Sequence, residues 1–181
     1  MASRKNKPPI ISIVGASGVG KTYLLEKLIP ELTRRGFKVG TVKHHMHSFE
    51  MDQPGKDSWR HKQAGAAVSM ISSPGRIGVV MNVNHDHSPN ELGQFLCNVD
   101  IVLTEGYKRG QNSKIEVFRP NVHKVLLCEG DVHLLAVVSD TRVDLDVPQF
   151  SMSEIGGLVD FVIDHFSLIP AVSKRDLEAA S

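Results

Sequence analysis

Gly15-Ala16-Ser17-Gly18-Val19-Gly20-Lys21-Thr22 fits the spacing G-x-x-x-x-G-K-[ST] in full, and the chemistry such a loop suits is the binding of a nucleotide polyphosphate. Glycines allow unusual backbone angles and close approach, so that successive N–H groups converge on phosphate oxygens at a helix N-terminus. Lys21 would reach the terminal phosphates, while the Thr22 hydroxyl would coordinate a magnesium ion (Mg2+) bridging them. The context required of the motif is present: the apolar run Ile10–Val14 precedes it and an amphipathic segment follows. A glycine-rich strand-to-helix turn with no ligand is the plainer alternative.

Three other groups could work with this loop. Asp100-Ile101-Val102-Leu103-Thr104-Glu105-Gly106 reads as an apolar strand with an acid at each end. Glu105 at its exit is the better magnesium ligand, against the reading of an ordinary solvated strand-end acid. Residues 43–60 are dense in polar groups after a strand: Lys43 could neutralise phosphate, His44 could face it, Asp52 or Asp57 could hold magnesium or water, and Gly55 could serve as a hinge. His44, His45 and His47 also raise a zinc reading, but they lack a Cys partner or an H-E-x-x-H frame. After the run Leu134–Val138, Ser139-Asp140 offers a carboxylate that could accept hydrogen bonds from the ring N–H and exocyclic amine of guanine, selecting GTP over ATP; a turn aspartate is the alternative. No N-K-x-D stands in the chain.

Positioning these groups requires an open sheet whose strands end in one crevice. Short apolar runs recur at 10–14, 37–42, 67–71, 77–83, 99–104, 115–118 and 134–138, and they read as buried strands. Between them, residues 21–35 place Leu24, Leu25, Leu28, Ile29 and Leu32 at helical spacing with Gly36 as a stop, and Pro30 predicts a kink or lost hydrogen bond. Ser88-Pro89-Asn90-Glu91 carries a capping box, predicting a helix through Cys97; another helix is expected over 152–166, with Gly156-Gly157 as an interruption point. Alternation of strand and helix implies an α/β fold with a mostly parallel sheet flanked by helices. Gly15, His44, Glu105 and Ser139 would all emerge at the carboxyl ends of its strands.

With 181 residues and 41% hydrophobic content, the chain suits one nucleotide-binding domain over residues 10–167, between a basic arm at 1–9 and a polar tail at 168–181. Twenty-one basic against twenty acidic side chains give no broad field for nucleic acid or an anionic membrane. No apolar stretch approaches the ~20 residues of a membrane span. Cys97 and Cys128, in no C-x-x-C spacing, fit a reducing, cytoplasmic setting.

The ordered set of Gly15 to Thr22, Lys43-His44 with His47, Met51-Asp52-Gln53-Pro54-Gly55-Lys56-Asp57-Ser58, Ala64-Gly65-Ala66, Leu103-Thr104-Glu105-Gly106-Tyr107-Lys108, the run 115–119 and Val137 to Asp140 resembles the MobB family of molybdopterin-guanine dinucleotide biosynthesis adaptors. The M-D-x-P-G-K-D-S and T-E-G-Y-K blocks are far more discriminating than the phosphate loop alone. The resemblance implies a homodimeric GTP-binding protein with weak GTPase activity. Such a protein assists the guanylyltransferase that attaches GMP to molybdopterin, so a molybdopterin-related ligand is a candidate as well. Carried over, Gly15 to Thr22 would bind phosphates, Thr22 and Glu105 magnesium, and residues 43–57 would form a second active-site loop. Lys21, Asp57 and Glu105 are the residues expected to act in hydrolysis, with Asp52 a further magnesium candidate. A β-ribbon can be shared in such dimers; the run 77–83 is the candidate for pairing across subunits, a long internal hairpin being the alternative.

No arginine finger or water-positioning glutamine is identifiable, so slow turnover is the expectation. Arg60, Arg76, Lys108 and Arg119 could add charge, but spacing does not place them. Rival readings are a small-molecule kinase, for which no arginine-rich lid is evident, a nickel metallochaperone GTPase, for which cysteine ligands are missing, and a purely structural GTP switch.

Overall fold

A computed structural model describes residues 7–47, 49–96 and 98–170. The chain divides into two compact units: one takes in the residues up to His44 and those from His87 onward, the other spans His45–Asp86.

The larger unit is built on six strands: β1 (Ile10–Val14), β2 (Val39–Lys43), β5 (Ile101–Glu105), β6 (Ser113–Val117), β7 (Leu134–Val138) and the two-residue β8 (Gln149–Phe150). Their order is β2-β5-β1-β6-β7-β8, and every neighbouring pair is parallel. The α/β arrangement with a mostly parallel sheet and flanking helices expected from alternating runs is thus observed, and β1 lies inside the sheet with β5 on one side and β6 on the other. Parallel strands need long crossovers, which is why β1 is followed by helix α1 (Lys21–Arg34) before the chain returns as β2.

One face of the sheet carries the main core. Ile11, Ile13, Ile101, Leu103, Ile115, Val117, Ala136 and Val138 alternate along their strands and pack against Leu24, Leu25, Leu28 and Leu32 of α1 and Leu158, Val159 and Val162 of α4 (Ile155–His165). Pro30 does not interrupt α1: it is exposed, on the side where water can replace the lost backbone bond. Gly156-Gly157 lies in the first turn of α4 and does not break it either. The expected helix through Cys97 is shorter, with α3 (Pro89–Leu92) running into a 3-10 turn at Gly93–Phe95; Cys97 itself lies outside the described residues. Its capping box is present, Ser88 and Glu91 bonding reciprocally.

The opposite face buries charge. Lys114 and Glu116, both 1% exposed, alternate with Ile115 and Val117 and point away from the main core, beside a second apolar cluster of Val14, Phe118, Cys128, Leu134 and Val137. The Glu116 carboxylate accepts the N–H groups of Leu127 (2.7 Å) and Cys128 (2.9 Å), and the Lys114 ammonium donates to Asp131 (2.8 Å) and to the Gly110 carbonyl. Burial and the neighbouring Glu116 and Asp131 charges push the Cys128 thiol up to about 12. An alternating strand would ordinarily turn its polar side chains to water; here the connection after β6 folds back over them and supplies Leu127, Cys128 and Asp131 as partners, while Gly110 comes from the turn before β6.

The smaller unit contains α2 (Asp57–Gln63) and an antiparallel ribbon of β3 (Val68–Ser73) and β4 (Arg76–Met81), with Val68 opposite Met81 and Ser73 opposite Arg76. Ser69 donates to the Ser58 carbonyl at 3.1 Å, tying β3 to α2. The runs at 67–71 and 77–83 are strands, but not buried ones: Val68, Met70, Ile71, Ile77 and Val79 are between 42% and 65% exposed. A two-stranded ribbon has no sheet to bury it on both faces. The run at 77–83 pairs with β3 of its own chain.

Glu116→Ala leaves two main-chain N–H groups without their acceptor, at about 1–3 kcal/mol each when buried. Urea denaturation should show a loss of about 3 kcal/mol. Glu116→Gln, which keeps one acceptor oxygen, should lose less.

Candidate functional site

The carboxyl ends of β1, β2, β5 and β7 deliver Gly15, His44, Glu105 and Ser139 to the same edge of the sheet. At its centre, the chain leaves β1 through a loop whose three glycines take backbone angles that other residues avoid, with φ of +140° at Gly15, +76° at Gly18 and +102° at Gly20. Gly15 has room for a hydrogen and nothing more, since a Cβ there would stand 2.4 Å from the Val117 carbonyl oxygen at the end of β6. Gly20 occupies the N-cap of α1 in left-handed conformation. Among the described residues no side chain caps that helix and none in its first turn is acidic, which leaves its positive end available to an anion.

Lys21 folds back over the loop, its ammonium donating to the carbonyls of Gly15 (3.1 Å) and Ala16 (2.8 Å). Burial lowers its proton affinity from the ordinary value; the Glu105 carboxylate opposes that, whereas Lys43 and Lys108 add to it by repulsion. Those four groups therefore share one field. Glu105 stands beside Ile13 of β1 and Lys43 of β2 in the sheet register, so the acid lies between the loop strand and the Lys43 strand.

Thr22 donates to both Glu105 carboxylate oxygens at 3.1 Å. The two magnesium candidates are thus in contact, joined from residues 83 apart in sequence. A hydroxyl and a carboxylate form a hard oxygen set, which suits magnesium and not a soft, thiolate-preferring metal. Gly106, at φ +109°, turns the chain away, where a Cβ would press on His44 Cβ at 3.1 Å. His44 stacks on Tyr107 with ring centroids 4.2 Å apart, and its main-chain N–H donates to the Glu105 carbonyl at 3.0 Å.

Beyond β7, exposed Asp140 accepts the Met152 N–H at 3.3 Å. With Ser139, Arg142, Gln149, Phe150 and Glu154 it lines a cavity of about 500 Å³. Met152 connects that cavity to the loop, because a Cβ on Gly20 would lie 3.5 Å from its Cε.

Asp52 and Asp57 belong to the smaller unit. One Asp52 oxygen accepts the Ser58 hydroxyl at 3.2 Å, whereas the other is buried with no hydrogen-bond partner, the condition of a carboxylate able to take a cation. Asp57 opens α2, is 89% exposed and lies 3.8 Å from Arg60. His45 and His47 meet edge to face at 5.6 Å. Among the described residues no three His, Cys, Asp or Glu side chains are grouped as a metal site.

The family model described as MobB, molybdopterin guanine dinucleotide synthesis protein B, matches residues 10–140. The chain belongs to the MobB family.

Two relatives are each called molybdopterin-guanine dinucleotide biosynthesis adapter protein. The one from Escherichia coli is 37% identical over 167 residues, covering 88% of this chain and 94% of the relative. The one from Haemophilus influenzae is 36% identical over 166 residues, covering 89% and 93%. The crystal structure of Bacillus subtilis MobB aligns with a TM-score of 0.68 at 26% identity, over 86% of this chain and 96% of that one. Both blocks that discriminate the MobB family in sequence fall within the matched range, Met51 to Ser58 in the smaller unit and Thr104 to Lys108 beside the phosphate loop.

In this MobB chain, Arg119, which spacing alone does not place, follows β6 and rests against Gly20, and the buried Lys114 and Glu116, which sequence reasoning missed, hold the connection behind it. Only the strand order could reveal either, since both depend on β6 lying beside β1.

Because Glu105 raises the proton affinity of Lys21, Glu105→Gln should lower the Lys21 titration midpoint further from that of a free lysine. Side-chain NMR of the lysine ammonium reads this directly. An unchanged midpoint would mean that the two groups do not share a field.

Proposed function

We propose that this chain binds GTP with magnesium at the loop after β1 and serves as an adapter in molybdopterin-guanine dinucleotide synthesis, hydrolysing GTP slowly. The observation that carries the reading is the placement of the Lys21 ammonium across the loop beside the touching Thr22–Glu105 pair, in a chain of the MobB family. Loop amides, the end of α1 and Lys21 would hold the phosphates, while Thr22 and Glu105 would hold magnesium, whose role is to bridge and neutralise terminal phosphate oxygens. Nothing in this set positions an attacking water with an evident base, which favours slow turnover without a partner.

The names of the relatives support the adapter role, and the guanylyltransferase of the same synthesis is the partner that role calls for. A molybdopterin-related compound is the second small ligand to consider. The exposed apolar ribbon supports a homodimer, because seven large hydrophobic side chains between Val68 and Val83 stand a third or more exposed, a patch that a second copy could cover. Two separated cysteines and the cofactor pathway fit a cytoplasmic setting.

Lys21→Ala should weaken GTP–magnesium binding about ten- to a hundredfold, the worth of one charge-assisted phosphate contact, while circular dichroism remains that of the folded protein. Equal affinity in both proteins would place the nucleotide elsewhere. For base recognition, Asp140→Ala should narrow the preference for GTP over ATP in the same calorimetric titration; an unchanged ratio removes Asp140 from that role.

A further inference from the structure

Arg119 leaves the end of β6 and lays its guanidinium against the start of α1. A Cβ built on Gly20 would lie 3.6 Å from its Nη2 and 3.7 Å from its Cζ. The residue is half-buried, and among the described residues its guanidinium has no carboxylate partner and no hydrogen-bond acceptor. A partly desolvated guanidinium without an anion is costly unless a ligand supplies one. Its neighbours hold it in place: Val122 and His123 donate N–H bonds to the Arg119 carbonyl at 2.9 and 3.0 Å, and Val122 closes over Gly18 at 3.9 Å from a built Cβ. Glu116, three residues earlier, anchors the far end of the same connection.

Strand order decides which part of a nucleotide this cation would meet. Along the carboxyl edge the sequence of groups is Lys43 (β2), Glu105 (β5), the loop (β1), Arg119 (β6) and the Asp140 cavity (β7). The magnesium candidates Thr22 and Glu105 fix the terminal-phosphate end on the β5 side, and the cavity lies on the other. Arg119 stands between loop and cavity, on the side away from Glu105. Resting on the nucleotide reading above, we infer that Arg119 is a phosphate-binding residue that grips the inner, sugar-proximal phosphate of the bound nucleoside polyphosphate. Its charge is spent on holding the nucleotide in the ground state, not on the terminal phosphate during hydrolysis.

The test is calorimetric titration of the full chain with GTP and with GDP, each with magnesium, for wild type, Arg119→Gln and Arg119→Lys. Both ligands carry the inner phosphate, so Arg119→Gln should weaken both equally, about ten- to a hundredfold, and Arg119→Lys should restore part of the loss through its point charge. Thermal unfolding without nucleotide checks that the variants fold, and the ratio of GDP to GTP affinity is a readout that mere structural support would leave to chance. Weakened GTP binding with unchanged GDP binding would move Arg119 to the terminal phosphate and overturn the assignment. Unchanged affinity for both would remove it from the site while leaving the nucleotide reading intact. A wild-type chain that binds neither ligand would overturn that reading itself, and this inference with it.

Discussion

The close approach of β1 and β6 at Gly15 is the constraint on which the rest of the site depends. With a carbonyl oxygen 2.4 Å from where a Cβ would be, the loop can leave β1 only through glycine, in a conformation that side chains disfavour. That contact seats the loop on the end of β6 and thereby fixes where α1 begins. The direction of α1 in turn sets Thr22 against Glu105 and Lys21 across the loop carbonyls. The main chain entering the loop is held by strand pairing: Ile13 with Glu105 and Ile115, and Val14 with Glu116.

The same β6 strand carries the least expected feature of the fold. Lys114 and Glu116 are buried ionic groups on the face away from α1, where apolar residues would serve packing better. Each is satisfied by neighbouring connections: Glu116 by two backbone N–H groups of the returning chain, Lys114 by Asp131 of that chain and by the Gly110 carbonyl just before β6. A long connection with little regular structure has few backbone partners of its own, and buried side chains that bond its main chain are one way to give it a single conformation. Order in this connection matters beyond stability, because Arg119 and Val122 at its start form the wall of the phosphate loop.

Much of this was legible in the sequence. Runs at 10–14 and 134–138 were bounded correctly because apolar residues stop abruptly at a glycine turn and at Ser139. Elsewhere the expected edges slid by one or two residues: β6 begins at Ser113, since a buried Lys114 looks like a strand boundary when only hydrophobicity is read. The two-residue β8 has no pattern to detect. Exposure of the ribbon is not legible for a different reason: β-branched and apolar residues there mark strands, but the burial they usually imply requires a second surface packed against them. At the site, the phosphate loop and Glu105 announce themselves through motif and strand-end position. Arg119 is legible only as one of several candidate charges, because nothing in the sequence reveals that β6 lies next to β1.

Strand order also explains why groups of opposite charge can flank one loop without neutralising each other. Among the described strands only β5 and β6 pair with β1, so their ends flank the loop. Glu105 arrives from one side and Arg119 from the other, with the start of α1 between them. Were both on the same side, they would pair, and neither would be free for a ligand. Instead the acid is engaged by the Thr22 hydroxyl, a weak partner that a divalent cation can displace or share, and the guanidinium rests on a glycine backbone that offers it no charge. A metal-bound polyphosphate has the matching polarity, cationic at the metal and anionic along its chain. A ligand that is both anion and metal carrier would meet the cations around the loop and the Glu105 carboxylate at once.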